Sequence, residues 1–213
     1  MHGSEPPGRR EARKADRRRA IVDVAERSFL ERGFAKTSMS AIATELGGSK
    51  TTLWSYFPSK DDLFAAVLDQ KIAVFQNALD GALIPTEGTA AALTRFGRLF
   101  LAKVLSSSSA GLQRLIMAEA ERFPNLGEAF ATRGPERVRA RLSRYMAEEM
   151  AAGRLRQGDA ERAARQFLSL CQAGCYLDRL WRHARPIPSE ASIDADVTDA
   201  VDTFMRAWGP DAK

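Results

Sequence analysis

Between Lys36 and Lys60 the chain leaves room for only two short helices, hinged at Gly47-Gly48 and shut off by Pro58. Glycine supplies the left-handed backbone that a sharp turn needs, and proline has no N–H with which to continue a helix. Thr37 or Ser38 caps the first helix, which runs to about Leu46 with Ile42, Ala43 and Leu46 inward. Ser49 caps the second, from Lys50 to about Tyr56. Two such helices joined by a glycine turn make a helix-turn-helix, a motif that places its second helix in the major groove of DNA.

The flanks extend this module. Ile21, Val24, Ala25, Ser28 and Phe29 recur at helical spacing, so a helix is expected from about Asp16 to Arg32, stopped at Gly33. Ser59 with Asp62 three residues on resembles a capping box and starts a fourth helix, striped by Phe64, Val67, Leu68, Ile72, Phe75 and Leu79, to about Ala82. Residues 1–14 hold Pro6, Pro7, Arg9, Arg10, Arg13 and Lys14 with almost nothing apolar to bury, so a disordered basic arm is expected there. Such an arm either enters a neighbouring minor groove or touches nothing specific.

Charge is distributed unevenly. Of the net +5, all the surplus falls before residue 61, where 12 Lys and Arg face 7 Asp and Glu; the remaining 153 residues carry 20 of each. Clustered cations attract polyanions through counterion release, and a balanced remainder has no such preference.

Gly81 to Gly88, with Pro85, reads as a break between modules. Beyond it the periodicity is helical throughout, with helices near 88–106, 109–123, 126–133, 135–152, 159–182 and 192–208. The segment 159–182 has two apolar seams: Ala163, Phe167, Leu170, Gly174, Leu177 and Trp181 on one, Ala164, Leu168, Cys171 and Cys175 on the other. A surface helix needs one stripe, so the second is expected to meet a ligand cavity or another subunit. The fold class is therefore all-α. A three-helix DNA-binding module (15–62) is linked by a fourth helix to a helical C-terminal domain (63–213), for about nine helices in all.

Several classes are disfavoured. Two cysteines and two histidines, His2 and His183, suit neither a disulfide framework nor a structural zinc site. No phosphate loop, dinucleotide fingerprint, H-E-x-x-H or histidine-containing nucleophile triad occurs, so no catalytic residue, metal or cofactor is expected. With no apolar run near 20 residues and no signal peptide, a cytoplasmic chain with no membrane partner is expected, nucleoid-associated when bound to DNA.

The residues Ala25-Glu26-Arg27-Ser28-Phe29, Gly33-Phe34, Thr37-Ser38-Met39, Ile42-Ala43, Leu46-Gly47-Gly48-Ser49-Lys50, Thr52 to Phe57 and Ser59 to Phe64 resemble the TetR family of bacterial transcription regulators at fixed spacing. Arg114 to Leu126 and Arg133-Gly134-Pro135 resemble an AefR-type C-terminal domain. The chain departs from the family at Gly48, where a small apolar residue is usual, at Thr51, where glycine is common, and at Trp54, where tyrosine is usual.

From their places on the motif, Thr37, Ser38, Ser49, Tyr56 and Lys60 are expected to hold phosphates. Lys50, Thr51, Thr52 and Trp54 are expected to meet base edges, through guanine O6 or N7 for the lysine and thymine methyls for the threonines. The resemblance implies a homodimer on a pseudo-palindromic operator, released when a small apolar or amphipathic effector binds the C-terminal domain. Candidate effector residues are Phe96, Phe100, Leu115, Glu119, Phe123, Tyr145, Phe167, Cys171 and Tyr176. Candidate dimer residues are Phe167, Leu170, Gly174, Leu177, Trp181, Val197, Val201, Phe204 and Trp208. Two alternatives stay open: a DNA-binding regulator without an effector, and a repressor that senses oxidants through Cys171 and Cys175.

Overall fold

The computed structural model describes residues 7–84, 88–182 and 186–210; the first six residues, Pro85 of the expected break, and His183 lie outside them. The described residues form eleven helices and no strand: α1 (Pro7–Arg32), α2 (Met39–Glu45), α3 (Lys50–Tyr56), α4 (Lys60–Ala82), α5 (Thr89–Leu105), α6 (Ser107–Glu119), α7 (Pro124–Arg133), α8 (Pro135–Ala151), α9 (Ala160–Cys171), α10 (Cys175–Trp181) and α11 (Glu190–Trp208).

Two compact units result. One joins the residues up to Lys71 to Leu115–Phe130; the other joins Ile72–Arg114 to Ala131 and beyond. The N-terminal unit is thus larger than the 15–62 module read from the motif. Its centre is aromatic: Phe29, Phe34 and Phe64 lie 5.4–5.5 Å apart, and Phe123, midway along the inserted segment, meets Phe34 edge-on at 5.1 Å. Ile21, Val22 and Ala25 of α1 are buried, as are Ile42, Ala43, Leu53, Phe57, Leu63 and Leu68.

Residues 7–14, expected to be disordered, begin α1. Once Ile21 to Phe29 hold α1 in place, the nucleation cost is already met, and Ala, Arg, Lys and Glu are all good helix formers, so extension toward the N-terminus is cheap.

In the C-terminal unit α11 packs on α5 and α9, and α8 packs on α9. A column of rings forms the core: Phe100, Phe96, Phe167, Phe204 and Trp208, each 5.3–6.3 Å from the next. Gly97 lets α5 approach closely, since a β-carbon there would sit 2.9 Å from Val197.

The single helix expected over 159–182 is two helices. It breaks at residues 172–174, where Gly174 has φ −93° and ψ −115°. The cause is distant in sequence: Asp196 of α11 accepts the Cys175 N–H at 2.8 Å and so caps α10, and a β-carbon on residue 174 would overlap that carboxylate.

An ion pair between the buried Glu149 and the exposed Arg154 closes the end of α8. The Glu149 carboxylate, 0% exposed, accepts from Arg154 Nε at 2.8 Å and Nη2 at 2.6 Å, and from the Thr89 hydroxyl. The Arg154 hydrogen bonds pull its pKa below the ordinary value of 4.5, against the effect of burial. A depressed carboxylate stabilises the fold above its unfolded pKa and loses that contribution as pH falls through the folded value. Melting temperatures measured from neutral pH down to about pH 3 should therefore fall more steeply below about pH 4.5 in the parent than in Glu149→Gln. Parallel acid limbs would show that this pair contributes nothing to the pH dependence.

Candidate nucleic-acid interface

Local chemistry builds α2 and α3 largely as the motif requires. Ser38 is the N-cap of α2, its side chain accepting the Ala41 N–H at 3.1 Å. Gly47, at φ 62°, makes the turn. Ser49 caps α3 by accepting the Thr52 N–H at 3.2 Å, and its hydroxyl meets the Thr52 hydroxyl at 2.8 Å. Buried Leu53 and Phe57 anchor the back of α3. The opposite surface leaves Lys50, Thr51, Thr52, Trp54 and Ser55 exposed, with Tyr56 half-buried. This is one short helix, fixed from behind, carrying an ammonium, three hydroxyls and an indole outward. Ser55 was missed by the sequence reading, although its position one residue beyond Trp54 places it on the exposed face.

Two expected phosphate contacts are corrected. Thr37 is 2% exposed, and its hydroxyl donates to Gly33 O at 2.8 Å and Ser28 O at 3.0 Å. It closes the end of α1 instead of facing solvent. The Lys60 ammonium donates to Phe34 O at 2.9 Å and Thr37 O at 3.1 Å and lies 4.1 Å from the centre of the Phe34 ring. Burial lowers its pKa despite nearby Asp61 and Glu119. Lys60 thus pins the α1–α2 loop.

The same loop accounts for two candidate effector residues. Glu119 does point inward, as its stripe implied, but its Oε1 accepts the Ala35 N–H at 3.1 Å. Phe123 packs on Phe34, and Leu115 falls in the same N-terminal unit. Glu119 and Phe123 are therefore corrected from effector contacts to parts of the N-terminal unit. Their partners lie more than eighty residues away in sequence, and no local pattern could have shown them.

The remaining effector candidates do come together. Phe96, Phe100, Tyr145, Phe167 and Cys171 share one buried cluster, and Tyr176 packs against it while donating to Gln113 Oε1. The Tyr145 hydroxyl is fully buried, and burial next to Glu149 pushes its pKa up to about 12.

The dimer set is corrected in the same way. Phe167, Val197, Val201, Phe204 and Trp208 are buried within the protomer core, because both seams of α9 meet α5, α8 and α11. Gly174 is exposed and Leu170 half-buried, while Leu177 and Trp181 of α10 are 44% and 70% exposed. A groove of about 710 Å³ runs between α9 and α11, lined by Arg162, Arg165, Gln166, Ser169, Leu170 and Thr203 among others.

The thiols are poorly suited to sensing oxidants. Burial pushes Cys171 up to about 12, and burial together with the Asp196 carboxylate does the same to Cys175. The thiolate is the reactive form, and at pH 8 it amounts to about one thiol in 10⁴. Iodoacetamide at pH 8 should leave both cysteines of the folded protein unmodified while alkylating the urea-unfolded chain within minutes. Equal labelling rates in the two states would overturn this.

Comparison with known proteins agrees with this geometry. The model of the bacterial regulatory proteins of the tetR family matches residues 21–67, and that of the AefR-like transcriptional repressor C-terminal domain matches residues 91–210. The chain is 35% identical over 80 residues to the HTH-type transcriptional regulator EthR of Mycolicibacterium smegmatis, covering 37% of each chain. It is 38% identical over 68 residues to RutR of Escherichia coli K12, covering 32% of each. The matched stretch spans about a third of the length of these two relatives.

Among solved structures, the flavonoid-responsive regulator FrrA superposes with a TM-score of 0.78 at 33% identity, over 93% of this chain and 100% of that one. A protein of Mesorhizobium loti described as a TetR-family transcriptional regulator gives a TM-score of 0.82 at 26% identity, over 92% and 98%. An anchored α3 behind a glycine turn, a helical C-terminal unit, and family models that between them match 167 residues lead to one assignment: the chain belongs to the TetR family of bacterial transcriptional regulators.

Proposed function

We propose that this protein is a homodimeric repressor that reads a pseudo-palindromic operator through α3 and leaves it when a small apolar or amphipathic molecule binds the C-terminal unit. The observation that carries the proposal is the outward face of α3, where Lys50, Thr51, Thr52 and Trp54 are exposed while Leu53 and Phe57 hold the helix from behind. A helix so mounted meets base edges without reorganisation, and lysine on guanine with threonine methyls on thymine gives sequence preference. Ser38 and Ser49, exposed at the starts of α2 and α3, serve as phosphate contacts.

A dimer is supported by Trp181 and Leu177, since an indole that is 70% exposed with a leucine that is 44% exposed one turn before it on α10 is characteristic of an interaction surface. The role of repressor draws on the AefR-like repressor domain matched over residues 91–210. No described helix is long and apolar enough to cross a membrane.

The test is a gel shift on a duplex selected from random sequence by the intact protein, repeated with a panel of small molecules. Flavonoids come first, because FrrA is described as responding to them. Release of the selected duplex by a panel member supports the reading. Selection of a duplex that no panel member releases favours a regulator without an effector, and failure to select any duplex refutes DNA recognition.

A further inference from the structure

The N-terminal three turns of α1 are helical although their described side chains are almost all exposed. From Gly8 to Ala20 every side chain whose burial is described is exposed except Arg17, which is half-buried. Arg10, Lys14 and Arg17 repeat at spacings of four and three, and the same line continues as Ile21, Ala25 and Ser28, all buried in the N-terminal unit. One face of α1 therefore serves two purposes. Its C-terminal half is apolar and packs on α2; its N-terminal half is cationic and runs on past the core, with Arg13 at its margin.

The direction of this overhang is set by its contacts. The Arg17 guanidinium lies where a β-carbon on Gly48 would sit, 2.7 Å away, in the turn before α3. Arg18 covers the Phe57 ring at 5.0 Å, just past the other end of α3. Residues 17 and 18 of α1 are thus level with α3, and the residues before them project beyond it. From Arg17 back to Arg10 the helix rises about 10 Å. The Gly48 departure has a physical reading here: the missing side chain gives the Arg17 guanidinium its place. Of the two acids of this stretch, Asp16 pairs with Arg19 at 3.2 Å and lies off the line, and Glu11 is exposed; Arg9, Arg10, Arg13, Lys14 and Arg17 outnumber them.

We infer that the helix from Gly8 to Arg17 is a cationic prong that grips the phosphates of duplex DNA beside the bases read by α3. The inference rests on the proposed DNA reading and adds a second contact surface to it. The partner follows from chemistry. DNA presents about one negative charge for every 1.7 Å of its axis, so a 10 Å row of cations faces several phosphates at once. A helical row of arginine and lysine with no apolar member offers nothing to a protein groove or a lipid interior. Because it is a helix and not a flexible arm, it holds its charges in register and contacts the backbone without reading minor-groove bases.

The test compares the intact protein with a variant carrying Arg10→Ala, Arg13→Ala and Lys14→Ala together. Alanine is expected to retain the helix, with circular dichroism as the check, and Arg17 is left in place because it also packs on the turn. Affinity is measured by fluorescence anisotropy between about 50 and 200 mM salt, on the selected duplex and on an unrelated duplex of equal length. Each phosphate contact adds about 0.9 to the slope of log affinity against log salt, so the triple variant should be shallower by up to about 2.7 per bound protomer on both duplexes. An unchanged slope in a variant that still binds overturns the prong. Loss confined to the selected sequence, at unchanged slope, overturns the phosphate assignment in favour of base contacts. If the intact protein itself binds neither duplex, the underlying DNA reading has failed, a result distinct from either.

Discussion

Replacing Phe34 with alanine is expected to destabilise the N-terminal unit by about 3–5 kcal/mol, enough to unfold much of it. The residue is 1% exposed and touches the rings of Phe29, Phe64 and Phe123, while the Lys60 ammonium lies over its face. Its loss removes four contacts and leaves a cavity beneath the loop that Thr37, Lys60 and Glu119 hold in place. Urea denaturation followed by circular dichroism measures the shift. Phe123→Ala provides the control that matters for the fold: this ring is half-buried and should cost roughly half as much. A Phe123→Ala protein as stable as the parent would mean that residues 115–130 do not belong to the N-terminal unit.

The second large effect concerns the proposed dimer. Leu177→Glu with Trp181→Glu should convert a dimer of about twice 23.4 kDa into a monomer and weaken binding to the selected duplex by about 10²–10⁴-fold. The two residues are exposed within the protomer, so the folded monomer should survive the change. The magnitude follows from bivalency: two DNA heads tied together find their half-sites at high effective concentration, whereas separated heads each bind alone. Phe204→Ala is the contrasting variant. Phe204 is fully buried between Phe167 and Trp208, so it should lower stability without first dissociating the dimer. Sedimentation of the double variant as an unaltered dimer would remove this face of α10 from the interface.

What could be read from the chain beforehand was local. The caps at Ser49 and Ser59, the left-handed turn at Gly47 and the start of α9 at Asp159 are all set by interactions within three residues, and the structure shows each of them. Exposure of the α3 residues followed from helical periodicity for the same reason. What could not be read depends on partners remote in sequence. Glu119 shows an inward stripe without showing that its partner is the Ala35 N–H, 84 residues away. Lys60 and Thr37 look like surface polar residues until the carbonyls of the α1–α2 loop are in place around them. The break before α10 depends on Asp196, which no feature of residues 159–182 announces.

The two seams of that segment illustrate a different difficulty. Their apolar character was legible, but periodicity cannot distinguish a helix buried on two sides within one protomer from a helix buried against a second one. Phe167 turned out to lie in the first situation, while Leu177 and Trp181, on the continuation of its seam, remain exposed.

The proposed function requires α3 to read base pairs, twice, through residues beginning at Lys50. The most direct measurement carries the parent and Lys50→Ala through the same selection from random duplexes and sequences the bound fractions. The parent should enrich an inverted repeat, and the variant should lose preference at one symmetric pair of guanines, with a cost of about 1–3 kcal/mol there and little change elsewhere. Identical motifs from both proteins would show that Lys50 reads no base, and enrichment of no motif by either would contradict the assignment of α3 as a recognition helix.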